Sequence, residues 1–278
     1  MPNNFECKNP ATIAKTLSQS ICVKKTNGDP KKIFLLAVLA GAFIGFGAEL
    51  MTVTVQGIGS SMGFGMAKFM GGAVFSVGLM LVVIAGAELF TGNNLMLISS
   101  LDKRVNFGRV LQKWGLVFLG NFVGSLILVG IMYGSGLWKM NGGGVGVTAL
   151  NIAVAKVNIP FWEAFFRGVG CNWLVCLAVW MSLSSRNIIG KVFAIFFPIM
   201  AFVASGFEHS IANMYFIPMG ILLKGQYAIS SQVSNLSSLN WGSFIVANEI
   251  PVTLGNIVGG AFFVAAIYWF IYLKNTGE

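Results

Sequence analysis

The sequence predicts an all-α membrane protein of six transmembrane helices, arranged as an inverted 3+3 repeat whose second and fifth helices are broken. Three observations lead to this prediction. Hydrophobic residues make up 56% of the 278 residues and charged residues only 10%, with a mean hydropathy of +0.78, which is typical of polytopic membrane proteins rather than soluble domains. Six long apolar runs follow one another, and two runs in opposite halves carry matching polar motifs.

Each apolar run is long enough to be a span, because a helix needs about 20 residues to cross the hydrocarbon core. The second run would reach about 50 Å as one continuous helix, against a core of about 30 Å. The fifth run is over-long in the same way. These two segments must therefore tilt, over-reach or break. The six runs cover roughly residues 33–58, 66–100, 110–138, 161–184, 190–223 and 247–273.

The runs divide the chain into an N-terminal segment of residues 1–30, a six-span domain of residues 31–274 and a tail of residues 275–278. With six spans, thirteen of the 18 Lys and Arg residues fall on the side of the N-terminus and four on the other, with Arg167 inside a span. Basic residues mark the cytoplasmic loops of membrane proteins. Both termini are therefore expected in the cytoplasm, and the basic excess does not indicate a nucleic-acid partner.

Two pairs of motifs repeat in the same order in the two halves. The second run contains "GAELFTGNN" at 86–94 and the fifth "GFEHSIANM" at 206–214; the third contains "GNFVG" at 120–124 and the sixth "GNIVG" at 255–259. An odd number of spans in each half makes the halves run in opposite directions, as in transporters whose broken helices meet near the midplane. The aligned pairs are Gly86 with Gly206, Glu88 with Glu208 and Asn93 with Asn213.

The polar residues of the first motif are expected to break the helix. Gly86 and Gly92 allow the backbone to leave helical geometry. Thr91, Asn93 and Asn94 can hydrogen-bond the freed peptide groups or the first amides of the new helix. Polar side chains at such a break are expected to line a path through the membrane.

His209 is the only histidine, and it lies at membrane depth, where an ionisable group is a functional candidate by default. Imidazole titrates near neutrality, so it can present a proton or a positive charge to an anion. Thr91 on the opposed break is its expected partner. The carboxylates of Glu88 and Glu208 indicate either acid/base or cation chemistry, or a supporting role in accepting hydrogen bonds from exposed amides at each break, which the matched positions favour.

Three further charges lie near the fourth span. Lys156 is in the preceding outer connection and has no acidic neighbour in sequence. It is either an unpaired cation that concentrates anions at a pore mouth or a solvated loop lysine. Glu163 and Arg167 are four residues apart and can pair on one helix face, as a buried pair in the scaffold or a subunit interface.

Other chemistries find no support. The cysteines at 7, 22, 171 and 176 form no CxxC pair, and Cys171 and Cys176 point to different faces of one helix, so neither a disulfide nor a zinc site is expected. The tripeptide "NPA" at 9–11 precedes every span. No phosphate-binding lysine motif, metal-ligand cluster or nucleophile motif occurs. We therefore expect no enzyme activity, no metal and no cofactor.

The stretches "GAELFTGNN", "GFEHSIANMYFIPMGI" and "IPVTLGNIVGG", in this order, resemble the formate/nitrite transporter family. "FEHSIANM" and the opening "GFGMAK" of the second span are more similar to its formate channels than to its nitrite or hydrosulfide branches. The resemblance covers about residues 31–274 and implies an aquaporin-like channel domain assembled as a homopentamer, with a pore in each protomer. "FTGNN" departs from some formate channels, which have serine in place of Gly92.

The resemblance also implies roles for individual residues. Thr91 and His209 would face each other in the pore with Asn172, and Lys156 would match the basic residue of the outer vestibule. Glu88, Asn93, Glu208 and Asn213 would support the helix breaks. Apolar gates would be formed by Phe75, Leu79, Leu89, Val175 and Phe202.

The expected function is a passive or proton-linked, pH-dependent channel for formate and similar small monovalent anions across the bacterial inner membrane. The alternatives are a nitrite or hydrosulfide channel of the same family, or a proton-coupled secondary carrier. A pore for water or glycerol is not expected, because this chain has no Asn-Pro-Ala pairs inside the breaks. Residues 5–27 are expected to form a surface helix on the inner membrane face; the family suggests a gating segment or a dock for a cytoplasmic formate-producing enzyme.

Overall fold

The computed structural model describes residues 7–274, and these residues form helices and turns with no strand. The predicted tail of residues 275–278 lies outside the described residues, as do residues 1–6. Within residues 7–274, five helices are long and apolar enough to cross a membrane. They are α3 (Pro30–Val55), α5 (Phe64–Gly86), α8 (Phe107–Ser135), α10 (Phe161–Ser184) and α14 (Trp241–Tyr272).

The fifth apolar run forms two shorter helices, α11 and α12, on either side of a break. The other helices flank or join the long ones. In chain order these elements are α1 (Pro10–Thr16), α2 (Cys22–Asn27), α4 (Ile58–Met62), α6 (Phe90–Asn93), α7 (Leu97–Leu101), α9 (Gly144–Val157), α11 (Ile188–Ala204), α12 (Ser210–Leu223) and α13 (Tyr227–Ser230), with a π turn at Leu17–Ile21 and 3-10 turns at Asn94–Met96, Leu137–Lys139 and Leu236–Ser238.

Helix starts follow local capping chemistry. Asp29 directly precedes Pro30, the first residue of α3, and its side chain accepts a hydrogen bond from the amide of Lys31. Asn106 and Asn187 cap α8 and α11 in the same way, through the amides two and three residues on. A side-chain acceptor at this position satisfies one of the free amides of the first turn. These caps fix where each apolar segment begins.

Both over-long runs are interrupted at the predicted motifs. Helix α5 ends at Gly86, which has φ +91°, and the chain is extended from Ala87 to Leu89 before α6 begins. Helix α11 is followed by Gly206 at φ +76° and by an extended His209 before α12. Glycine is favoured in this left-handed region. Gly92, which we expected to help break the helix, instead lies within α6.

Glycines also permit close helix contacts in both halves. A Cβ on Gly124 of α8 would overlap the carbonyl oxygen of Val38 in α3, and one on Gly259 of α14 would overlap that of Val169 in α10. Small residues let membrane helices approach closely and gain van der Waals contact. The first and third spans, and the fourth and sixth runs, are therefore packed backbone to backbone in the same manner.

The N-terminal segment packs against the helices of the six-span domain. Leu17 and Cys22 are buried, and Ser99 donates a 2.5 Å hydrogen bond to the carbonyl of Ser18, whose hydroxyl donates to Asp102 at 2.6 Å. The expectation of a surface helix therefore understates its packing.

Two parts of the chain differ from the sequence-based bounds. The connection before the fourth span contains the helix α9, and the last helix begins at Trp241.

Candidate functional site

Thr91 and His209 meet between the two helix breaks. Thr91 lies in α6 and His209 immediately precedes α12, and both are buried. Thr91 Oγ1 is 2.9 Å from His209 Nε2, and the amide of Ala212 donates to His209 Nδ1 at 3.1 Å. Because Nδ1 accepts, the neutral ring carries its proton on Nε2 and donates it to Thr91 Oγ1. The hydroxyl proton of Thr91 is then available to another acceptor.

Three cavities lie in series beside His209, which lines two of them, whereas Thr91 lines none of the three. The N-terminal cavity, of about 400 Å³, is lined by the N-terminal segment and by Leu79 and Leu89. The distal cavity, of about 230 Å³, is lined by Phe75, Phe202 and His209. A central cavity of about 10 Å³ shares lining residues with both. This volume is at or below what one water molecule requires, so the path is closed at its centre.

Apolar side chains close the central cavity. The rings of Phe75 and Phe202 pack edge to face with centroids 5.8 Å apart, and Phe202 stacks on His209 at 5.9 Å. All the residues that we predicted as gates line this cavity, together with Ile44 and Ile199, which the sequence did not indicate. The predicted gates are Phe75, Leu79, Leu89, Val175 and Phe202.

Each break is held by a glutamate, a lysine and an asparagine. Glu88 accepts from Lys25 and from Asn93, both at 2.8 Å. In the other half, Lys156 donates to both oxygens of Glu208 at 2.9 Å and Asn213 donates to it at 2.8 Å. The expectation that these carboxylates accept from backbone amides was wrong, because side-chain cations from other segments reach them.

The exposed peptide groups of the breaks are satisfied by Asn121 and Asn256. Asn121 accepts from the amide of Phe90 and donates to the carbonyls of Ala37 and Glu88. Asn256 makes the same three contacts with Ser210, Gly168 and Glu208. These residues are the asparagines of "GNFVG" and "GNIVG". The repeat is visible in the sequence, but this capping role is not.

Lys156 is not an unpaired cation. Its ammonium is in an ion pair with Glu208, and its side chain is only 15% exposed. Its ammonium also lies 5.3 Å from the ring centroid of Phe216, and its carbonyl accepts from Asn248. Glu208 is 52 residues away in sequence, which is why the local sequence gave no sign of the pair. Lys156 nevertheless lines the distal cavity.

Asn172 lies behind the Thr91 loop and does not line any of the three cavities. Its amide nitrogen lies 2.7 Å from Asn94 Oδ1, 2.7 Å from the carbonyl oxygen of Asn256 and 3.2 Å from that of Thr91, and its two protons are shared among these three acceptors. These bonds connect α10 to α6 and to α14. In this structure Asn172 holds the loop that carries Thr91.

The Glu163–Arg167 pair forms as the spacing predicted, with 2.9 Å between Nη2 and Oε2. It is not buried, since the two side chains are 57% and 43% exposed. Arg167 lines the distal cavity. The pair therefore does not belong to the buried scaffold of the protomer, and its place at a subunit interface stays a prediction.

A helical membrane protein with two interrupted helices, and with cavities in series on either side of a buried polar pair, has the architecture of channels and transporters. The chain belongs to the formate/nitrite transporter family, whose model, described as "Formate/nitrite transporter", matches residues 11–270. This confirms the resemblance drawn from the motifs. It is a family of transporters.

Individual relatives are similar over most of their length. The chain is 42% identical to "Formate channel FocA" of Escherichia coli K12 over 280 residues, covering 99% of this chain and 98% of the relative. It is 45% identical to the "Probable formate transporter" of Methanothermobacter thermautotrophicus over 285 residues, covering 96% and 98%.

A solved structure described as "Pentameric formate channel with formate bound" matches with a TM-score of 0.79 at 42% identity, covering 88% of this chain and 98% of that one. An "FNT family ion channel" matches with a TM-score of 0.74 at 30% identity, covering 95% of each chain. The predicted all-helical membrane-type fold is thereby confirmed.

Proposed function

We propose that this protein is a passive or proton-linked channel for formate and similar small monovalent anions. The observation that carries the proposal is the series of three cavities, closed at the centre by apolar side chains and by His209, whose ring is hydrogen-bonded to Thr91. The choice of formate follows the named relatives and the solved formate channel.

The physical problem is to carry a charge through an apolar constriction, where an unpaired ion is expensive. Next to Phe202, His209 donates its Nε2 proton to Thr91 Oγ1, which leaves the hydroxyl proton of Thr91 for another acceptor. Formate either crosses as an anion that accepts from this hydroxyl, or takes a proton from the protonated, cationic ring of His209, which returns to its neutral form, and crosses as formic acid; a proton taken up from the aqueous side then restores the cationic ring. The second route makes transport pH-dependent.

The matched contacts of the two halves support a six-span inverted repeat, in which α11 and α12 form the fifth span. Lys25, Glu88 and Asn93 correspond to Lys156, Glu208 and Asn213, and Asn121 corresponds to Asn256. The excess of basic residues on the N-terminal side supports cytoplasmic termini in a bacterial inner membrane. A homopentamer with one pore per protomer follows the solved pentameric formate channel.

The N-terminal segment is assigned a gating role. Leu17, Ile21, Cys22 and Lys25 line the N-terminal cavity, so displacement of the segment would widen this mouth. The same segment is the proposed dock for a cytoplasmic formate-producing enzyme. Deleting residues 1–28 is expected to raise formate flux and alter its pH dependence; unchanged flux and pH profile would count against both roles.

The deciding experiment is uptake by proteoliposomes containing the purified protein, with formate, nitrite and hydrosulfide at equal concentration and at acid and neutral pH. His209→Asn is compared with wild type, because an Asn oxygen can still cap α12 while the Nε2 proton is lost. Formate should move fastest, and its pH dependence should vanish in the variant. If nitrite or hydrosulfide moves faster than formate, that anion is the preferred substrate. If uptake saturates with substrate concentration and moves anions and protons in a fixed ratio, the protein is a carrier.

A further inference from the structure

Three cations line the distal cavity in the described part of the chain: Lys68, Lys156 and Arg167. Two of them have a carboxylate partner. Lys156 binds both oxygens of Glu208, and Arg167 binds Glu163. An ammonium already held by a carboxylate has little net attraction for a second anion. The remaining cation therefore decides how the cavity receives a negatively charged solute.

Lys68 is that remaining cation. Among residues 7–274 its side chain makes no ion pair and no hydrogen bond, so all three of its N–H donors are available. Its ammonium lies 5.4 Å from the ring centroid of Phe64 and 3.9 Å from the position that a Cβ would take on Gly206. The ammonium is thus placed between the cavity rim and the second helix break.

The position of Lys68 next to Gly206 brings its charge close to the constriction. Gly206 precedes Glu208 and His209 by only a few residues, and all of them line the same cavity. Lys68 also lies within electrostatic range of Lys156, Arg167 and Glu208. The lining of the cavity therefore carries an excess of positive charge, and a cleft lined by one sign of charge raises the local concentration of the opposite ion.

We propose that Lys68 is the anion-capturing residue of the distal cavity, and that a small monovalent carboxylate pairs with its ammonium before reaching the Phe75–Phe202 constriction. Lys156 then has a different task, which is to hold Glu208 and the second break. The inference rests on the proposed function in that the solute is an anion, but it depends on the sign of the solute's charge and not on its identity.

The test is formate flux through planar bilayers containing the full-length protein, measured against formate concentration at low and high ionic strength. Lys68→Met is compared with Lys68→Arg, which keeps the charge, and with Lys139→Met, which removes a cation that lines none of the three cavities. At low ionic strength, Lys68→Met should raise the half-saturating formate concentration by about three- to ten-fold. Lys68→Arg and Lys139→Met should stay close to wild type.

High salt should reduce the difference, because screening shortens the range of the ammonium's field. If Lys68→Met matches Lys139→Met at both ionic strengths, Lys68 does not capture the anion. A second measurement is used if Lys68→Met assembles poorly. Lys68→Cys is made in a background without the native cysteines, and its thiol is modified in the bilayer with a cationic or an anionic methanethiosulfonate. The cationic adduct should restore low-concentration flux and the anionic one should lower it; equal effects would overturn the proposal.

Failure of the proposed function is recognised separately. If wild type conducts nitrite or hydrosulfide and not formate, the same comparison is run with the conducted anion, and a shifted half-saturation in Lys68→Met still supports the capture role. If wild type conducts only a neutral solute, both proposals are wrong.

Discussion

Lys25 Nζ and Glu88 Oε2 lie 2.8 Å apart, which ties the N-terminal segment directly to the first helix break. Lys25 also donates to Asn93 at 2.9 Å. The side chains of Lys25 and Glu88 are only 30% and 12% exposed, and the pair joins the segment that covers the N-terminal cavity to the loop that carries Thr91. Breaking this ion pair should therefore release the N-terminal segment from the first helix break without unfolding the protein.

Thiol labelling of Cys22 should report that release. Burial raises the pKa of the Cys22 thiol to about 12, so at neutral pH it is protonated and slow to react. Exposure returns the pKa towards its ordinary value, and Lys25→Met should accelerate maleimide labelling by about ten-fold or more. Lys24→Met, which removes an adjacent exposed charge, is the matched control.

The labelling background replaces the other three cysteines, at 7, 171 and 176, with alanine or serine. Equal labelling rates in Lys25→Met and Lys24→Met would show that the ion pair does not hold the segment in place.

Removing one of the capping asparagines should destabilise the protein more than a typical polar substitution. Asn121→Leu leaves the amide of Phe90 and two carbonyls without their buried partner, each at a cost of about 1–3 kcal/mol. The thermal midpoint of the purified assembly should fall by several degrees. Asn158→Ala, at an exposed site, is the control; comparable midpoints in the two variants would contradict the capping role.

Shortening one ring of the constriction should open it. Phe202→Ala removes the edge-to-face contact with Phe75 and one wall of the central cavity. Formate flux should increase, and the flux of the larger anion acetate should increase by a greater factor, because the apolar barrier is shorter and wider. Phe197→Ala, at a ring that is 54% exposed and outside the path, should change neither flux; an unchanged ratio of acetate to formate flux in Phe202→Ala would argue that the constriction lies elsewhere.

The hydroxyl of Thr91 should matter more than its shape. Thr91→Val keeps the volume and removes both the acceptor for His209 Nε2 and the free donor, so flux should fall by about ten-fold, corresponding to one lost hydrogen bond of ~1.4 kcal/mol. Thr91→Ser should retain most of the flux. Thr52→Val, at a buried threonine that only bonds Ala48 in its own helix, controls for loss of a buried hydroxyl.

The breaks were predictable because their signals are local. Excess helix length and the matched Gly86 and Gly206 lie within single segments, and both glycines adopt positive φ. The resemblance, rather than the physical pattern, selected Phe75 and Phe202 as gates. Ile44 and Ile199, which line the same cavity, look like ordinary lipid-facing or core residues in the sequence.

The contacts that hold the site together were not predictable, because they join distant segments. Lys25 and Glu88 are 63 residues apart in sequence, and Asn121 is 84 residues from Ala37, whose carbonyl it binds. Nothing in the residues around Lys156 or Asn172 indicates which carboxylate or carbonyl each will bind. Helical periodicity describes one face of one helix, whereas these bonds depend on how two halves of the chain are oriented against each other.

His209 Nδ1 has one lone pair, and the amide of Ala212 occupies it. A proton on Nδ1 and this hydrogen bond exclude each other, so any change in the charge of the ring is also a change in the first turn of α12. The Ala212 amide is therefore a built-in spectroscopic reporter. Its ¹⁵N chemical shift and hydrogen-exchange rate should follow the protonation state of a side chain that lies too deep for external probes.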